Sequence, residues 1–137
     1  MPSAFLRFAD LRSAGATVDV RLAPPISSVT KRRKPNPGLP AIALIDTGSS
    51  ATVLKEGLPA ALGLKPTSTT YVNTASASNV LCEEFAVTFL VHGLSIRTTA
   101  LELPLCTSGI DCLIGRDVLA QCVMTYIGPD NQVILSF

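Results

Sequence analysis

The chain has 137 residues, 47% apolar and only 15% charged, with 11 Lys and Arg against 10 Asp and Glu. That is one domain with room for a core, not a disordered tail, and a net charge of +1 offers no long-range pull on nucleic acid or an anionic membrane. A mean hydropathy of +0.42 predicts more apolar surface than one copy buries, which a subunit interface would absorb or a mildly sticky monomer would leave exposed.

In chain order, residues 4–10 are strand-like and Val18, Val20 and Leu22 alternate with Thr17, Asp19 and Arg21. With Arg12-Ser13-Ala14-Gly15 as a turn between them, the two stretches predict an opening hairpin. Arg7, Asp10 and Arg12 stand where a signal peptide needs an apolar core, and no apolar run reaches about 18 residues. The expectation is therefore a chain with no membrane segment and a cytoplasmic location. Residues 24–40 carry prolines and the run Lys31-Arg32-Arg33-Lys34, which reads as a surface loop. Those four charges lack interleaved aromatics, so a solvated loop tip is preferred to a nucleic-acid site and no nucleic-acid partner is expected.

The next segment holds the most informative juxtaposition. An unbroken apolar run, Ala41-Ile42-Ala43-Leu44-Ile45, delivers Asp46-Thr47-Gly48-Ser49-Ser50. Carboxylates avoid buried settings unless they are paired or hydrogen-bonded, so an acid at the mouth of a strand built for burial calls for a chemical reason. An ordinary strand-end turn is the alternative, because Asp and Gly are common there.

Further along, residues 51–54 resume a strand, 58–64 predict a short helix closed by Gly63 and Pro66, and 67–74 form a strand with one wet face. A small-residue turn over 75–79 follows. Phe85, Val87, Phe89 and Val91 alternate with polar or small neighbours, and His92-Gly93 reverses the chain into a partner strand over 94–103. A short buried strand over 110–114 runs through Gly115 into a brief helix over 116–121. Strands over 123–127 and 132–137 flank the turn Gly128-Pro129-Asp130-Asn131. The sum is a mostly β domain, barrel-like or sandwich-like. Cys82 and Cys122 read as buried thiols, Cys106 and Cys112 bracket a loop that lets them approach, and reduced cysteines are expected throughout. His92 is the only histidine and no spacing suits a metal, so no metal or other cofactor is expected.

About 70 residues after Asp46 stands Leu113-Ile114-Gly115-Arg116-Asp117: an apolar pair, a glycine, then a short helix. Together with Asp46-Thr47-Gly48-Ser49-Ser50-Ala51, in that order and at that separation, it resembles the paired hallmarks of the retropepsin-like (retroviral-type) aspartic peptidases. The resemblance implies a single-lobe acid-protease barrel with one or two short helices, one domain over residues 1–137, and a two-fold symmetric homodimer in which each copy supplies one aspartate. It implies an aspartic endopeptidase acting on an extended peptide or protein. Asp46 would be the catalytic acid/base, and Thr47, Gly48 and Ser49 would support its loop, with Thr47 bracing the two loops across the dimer. Substrate would lie against Gly48, Ser50, Ala51, Val53, Leu113 and Ile114, under a flap near 71–82 that includes Thr74, Ala75 and Ser76. Val133, Leu135 and Phe137 of the last strand would join Thr47 in the dimer interface.

Three departures from retroviral members carry expectations of their own. The flap tip Ala75-Ser76-Ala77-Ser78 contains no glycine. Ser50 replaces the acid that pairs with the arginine matching Arg116, so Arg116 needs another partner. Ser at position 49 can donate to a carboxylate oxygen, and donation favours the ionised form, which predicts an acidic optimum. The competing reading keeps the fold but makes it a catalytically weak or inactive dimeric module that grips extended chains by strand addition.

Overall fold

The computed structural model describes residues 2–25 and 38–137. Most of the predicted surface loop, including Lys31 to Lys34, lies outside the described residues. The strands are β1 (Ser3–Arg7), β2 (Thr17–Ala23), β3 (Leu39–Ile45), β4 (Val53–Lys55), β5 (Ser68–Val72), β6 (Val80–Val91), β7 (Leu94–Leu103), β8 (Cys112–Ile114), β9 (Val123–Ile127) and β10 (Gln132–Ser136). Three single-turn helices, α1 (Leu11–Ala14), α2 (Leu58–Ala61) and α3 (Arg116–Leu119), punctuate them.

Six strands close on themselves in the order β2-β3-β8-β4-β7-β6, because β2 pairs with β3 along one edge and with β6 along the other. Closure leaves no open edge within the barrel. Period-two patterning dictates its interior: Val18, Val20 and Leu22 of β2, Val87 and Phe89 of β6, and Leu54 of β4 are all at most 4% exposed. Each such side chain stabilises the fold by about 1.5–3 kcal/mol through burial. The β6–β7 hairpin turns at His92 and Gly93, whose φ values of +46° and +80° suit a two-residue turn matched to strand twist.

Two expectations are corrected. The opening hairpin does not form: β1 pairs with β10, while β2 joins the barrel. Between them Asp10 caps a helical turn instead of a β-turn, accepting from the Ser13 backbone N–H at 3.2 Å and the Ser13 hydroxyl at 2.7 Å. That turn is then tethered at a distance, the Leu11 N–H donating to Asn131 Oδ1 at 2.8 Å. The apolar run of β3 is also only half buried, with Ala41, Ala43 and Ile45 facing inward and Ile42 39% exposed. A barrel wall has one inner face, so even an all-apolar strand presents alternate residues outward.

A separate antiparallel sheet, β1-β10-β9, is held by pairs such as Phe5↔Ile134 and Ile134↔Thr125. β10 lies in its middle with both edges occupied, and Val133 (0%) and Leu135 (3%) are packed into the chain's own core. β10 is the strand expected to pair between subunits through Val133 and Leu135; within one copy its ladder bonds and its inward face are already used. Phe137 is half-buried and its N–H donates to the Pro2 carbonyl at 3.0 Å.

Candidate active site

β8 inserts between β3 and β4, parallel to the first and antiparallel to the second. The loop over 46–52 that joins β3 to β4 must therefore wrap around the end of β8. Main-chain bonds lock the two together. The Asp46 N–H donates to the Ile114 carbonyl and the Arg116 N–H to the Ser49 carbonyl, each at 2.9 Å. Gly115 is obligatory at this crossing, since a Cβ there would stand 2.4 Å from the Ala51 carbonyl oxygen.

Side chains complete the frame. The Arg116 guanidinium, deprived of an acid at position 50, donates to the Thr47 carbonyl at 2.8 Å. Asp117 accepts from the Thr52 hydroxyl at 2.8 Å and the Thr98 hydroxyl at 3.3 Å, and Thr52 Oγ1 in turn accepts the Gly115 N–H at 3.2 Å. Thr52 is fully buried, so this chain of bonds satisfies a polar group that would otherwise destabilise the core. Sequence pattern alone does not single out Thr52, Thr98 and Asp117 as a connected group. A hydroxyl inside an apolar strand start, Ala51-Thr52-Val53-Leu54, is the one signal it offers.

The frame holds Asp46 half-buried, with its Oδ1 accepting the Gly48 N–H at 2.9 Å. A Cβ on Gly48 would approach that same oxygen to 3.1 Å, so glycine keeps the carboxylate face open. Ser49 does not donate to the carboxylate. Its hydroxyl is bonded to the Ala51 carbonyl at 2.6 Å, which removes the reason given for an acidic optimum from Ser49 itself. Thr47 is exposed at the loop's apex.

Over Asp46 lies a cleft of about 720 Å³. One wall is the Asp46 loop with Gly48, Ser49 and Ser50; the opposite wall is the tip of the β5–β6 hairpin, residues 73–77. The glycine-free tip is held by side-chain bonds instead: Thr74 Oγ1 accepts the Ala77 N–H at 3.1 Å and Asn73 Oδ1 accepts the Asn79 N–H at 3.0 Å. Val53, Val80, Leu103, Leu105 and Leu113 make the cleft apolar, and among the described residues Asp46 is the only carboxylate on its lining. Of the predicted substrate-facing residues, Gly48, Ser50, Val53, Thr74, Ala75, Ser76 and Leu113 share this cleft. Ala51 and Ile114 do not line it: the Ala51 carbonyl backs onto Gly115, and Ile114 is 4% exposed within the core. Leu103, Pro104, Leu105 and Cys106 join the lining without having been expected there, because the end of β7 approaches the cleft through its parallel pairing with β4, a long-range contact without a local sequence mark.

All four cysteines are free; Cys106 is exposed and Cys112 buried. Burial, reinforced by the neighbouring Asp111 charge, pushes the Cys112 thiol from its ordinary 9.0 up to about 12. Among the described residues no group of three or more His, Cys, Asp and Glu is arranged to hold a metal ion, and no helix is long and apolar enough to cross a membrane.

The model of a family described as "Aspartyl protease" matches residues 35–118, the span from before β3 into α3. No curated protein sequence matches the chain. Among solved structures, the chain is similar to a retropepsin-like aspartic protease from Rickettsia conorii, with TM-score 0.64 and 13% identity over 99% of this chain and 93% of that one. It is similar also to the EIAV protease complexed with the inhibitor HBY-793 (TM-score 0.54, 21% identity, 77% and 86% covered). A third is the simian foamy virus protease (TM-score 0.51, 15% identity, 77% and 92% covered). At these identities the structural likeness shows a shared fold.

Proposed function

The chain belongs to the aspartyl protease family, and we propose on that premise that it is an endopeptidase whose active site is completed by a second copy of itself. The observation that carries this reading is the single carboxylate, Asp46, presented by a braced loop on the lining of an apolar cleft. Amide hydrolysis without a covalent intermediate needs a base to activate water and an acid to protonate the leaving nitrogen. One carboxylate cannot fill both roles at the same moment. Two copies of Asp46, facing each other across a two-fold axis and sharing one proton, do so.

In the first step the ionised Asp46 takes a proton from water as the water oxygen bonds to the scissile carbonyl carbon. The protonated Asp46 of the other copy gives its proton to the carbonyl oxygen, leaving a neutral gem-diol and the dyad still holding one proton. In the second step the dyad protonates the amide nitrogen, one diol hydroxyl returns its proton, and the carbon–nitrogen bond breaks. Gly48 leaves room for substrate backbone beside the carboxylate, the exposed Thr47 reaches toward its counterpart, and residues 73–77 cover the extended chain. Aliphatic lining from Val53, Val80 and Leu113 favours apolar side chains flanking the scissile bond.

The test is hydrolysis of a denatured protein between pH 3 and 7. Asp46→Asn should abolish cleavage while preserving the fold, and pepstatin should inhibit the unaltered chain. Absence of hydrolysis across that range would instead favour a peptide-binding module of the same fold.

A further inference from the structure

The cover of the cleft is the tip over 73–79, which lies between the paired residues Val72 of β5 and Val80 of β6. No strand ladder reaches beyond that pair, every residue of the tip is exposed, and Ala75, Ser76, Ala77 and Ser78 offer little surface to bury. A loop with so few packed contacts is ordinarily loose. Two polar side chains close this one. The Thr74 N–H donates to the Ala77 carbonyl at 2.8 Å, and the Thr74 hydroxyl donates to the same carbonyl at 3.3 Å. Thr74 Oγ1 also accepts the Ala77 N–H at 3.1 Å. Around that contact Asn73 Oδ1 accepts the Asn79 N–H at 3.0 Å, and Asn79 takes the left-handed φ of +54° that returns the chain to β6. The bonds nest, 73 to 79 enclosing 74 to 77.

We infer that Asn73 and Thr74 are positioning residues for substrate, holding residues 75–77 in the shape that covers an extended peptide before any peptide arrives. The tip forms the wall opposite the Asp46 loop, so its shape sets the room left for the bound chain. Ordering a loose loop on binding costs affinity, and apparent affinity scales with the fraction of free protein already in the competent shape. One hydrogen bond of ordinary net strength moves such an equilibrium about fivefold, so the nested bonds keep most of the free protein ready. The stem supports the same reading. Tyr71 pairs with Leu81 and Val72 with Val80 directly below the tip, and cross-strand pairs of this kind stiffen a hairpin. At the stem's base Glu84 is in register with Ser68 of β5 and with Leu101 of β7, which anchors the hairpin in the barrel wall. A closed tip on a paired stem moves as one piece over the cleft, without refolding of residues 75–77. This role rests on the peptidase reading of the cleft and adds to it what fixes the cover's shape.

The experiment compares the unaltered chain with Thr74→Val, Thr74→Ser, Asn73→Ala and the double variant Asn73→Ala/Thr74→Val. Amide hydrogen exchange is followed by NMR without substrate, and peptide hydrolysis is measured on the same samples. Both positions are exposed, so circular dichroism should show native strand content in each variant. In the unaltered chain the Ala77 and Asn79 amides should exchange more slowly than in an unfolded chain, by about tenfold. Thr74→Val should release Ala77, Asn73→Ala should release Asn79, and Thr74→Ser, which keeps the hydroxyl, should protect Ala77 as before. KM should rise in Thr74→Val and in Asn73→Ala, and by about tenfold in the double variant, while kcat stays within about twofold. Unprotected Ala77 and Asn79 amides in the unaltered chain, or variants that lose protection without raising KM, overturn the inference. If the unaltered chain cleaves nothing, the peptidase reading falls, and the dissociation constant of pepstatin replaces KM. Protection that is lost with no change in that constant then overturns the positioning role, and a matching rise sustains it.

Discussion

Gly115 and Ala51 touch so closely that a single added carbon at position 115 would sit 2.4 Å from the Ala51 carbonyl oxygen. The contact is where β8 passes beneath the loop bearing Asp46, and both partners are main chain, so neither can swing aside. The geometry of the Asp46 loop is thus set by a backbone crossing before any side chain contributes.

Gly115→Ala should consequently lower both stability and activity. Overpacking of a tight crossing costs about 1–3 kcal/mol. Chemical denaturation should show that loss, and peptide hydrolysis should fall more steeply than stability, because relief of the clash moves the Asp46 loop. An unchanged variant would mean that the crossing has slack.

Asp117 joins Thr52 and Thr98 beneath the same loop. Asp117→Ala should destabilise the fold by about 1–3 kcal/mol, the cost of leaving the buried Thr52 hydroxyl short of its acceptor. Asp117→Asn retains an acceptor for Thr52, and its amide can donate to a reoriented Thr98 hydroxyl, so it should lose much less. Thermal unfolding of the pair reads the difference directly.

The pH–activity profile should be bell-shaped with its maximum on the acid side of neutrality. Two carboxylates in contact share one proton, a behaviour for which aspartic proteases are the type case, and activity requires that singly protonated form. Rate falls at low pH when the dyad holds two protons and at high pH when it holds none. Since the Ser49 hydroxyl is committed to the Ala51 carbonyl, Ser49→Ala should move neither limb. A shifted limb in that variant would show donation to the carboxylate.

Cys112 supplies an alkaline prediction. Its folded thiol is raised to about 12 from 9.0, so the folded state holds the proton more tightly than the unfolded chain. Below about pH 9 both states are neutral and the full stability is present. Between pH 9 and 12 only the unfolded thiol ionises, and stability declines by up to about 4 kcal/mol. Urea titrations across that window should show the decline, and Cys112→Ala should remove most of it.

Much of this architecture is legible in the amino-acid sequence. Strand periodicity places β6, β7, β9 and the elements between them, and the paired strings at Asp46 and Leu113-Ile114-Gly115 locate the loop and the strand that frames it. What escapes a sequence reading is decided by partners far away in the chain. The stretch over 4–10 has strand character, but only β10, more than a hundred residues on, determines which edge it joins. The same holds for Leu103 to Cys106, brought to the cleft by β7 pairing with β4, and for Asp117, whose carboxylate oxygens are claimed by threonines on two other segments. Arg116 finds its partner in a carbonyl, a group every residue carries and no motif marks.

The central claim is that each active site draws one Asp46 from each of two copies, and mixing tests it most directly. Unaltered chain is dissociated, combined with increasing amounts of the Asp46→Asn variant, reassociated and assayed. If the site is shared, mixed pairs are inactive and activity per unaltered chain falls in proportion to that chain's fraction in the mixture. Activity per unaltered chain that stays constant at every ratio would contradict the account, since each copy would then be working alone.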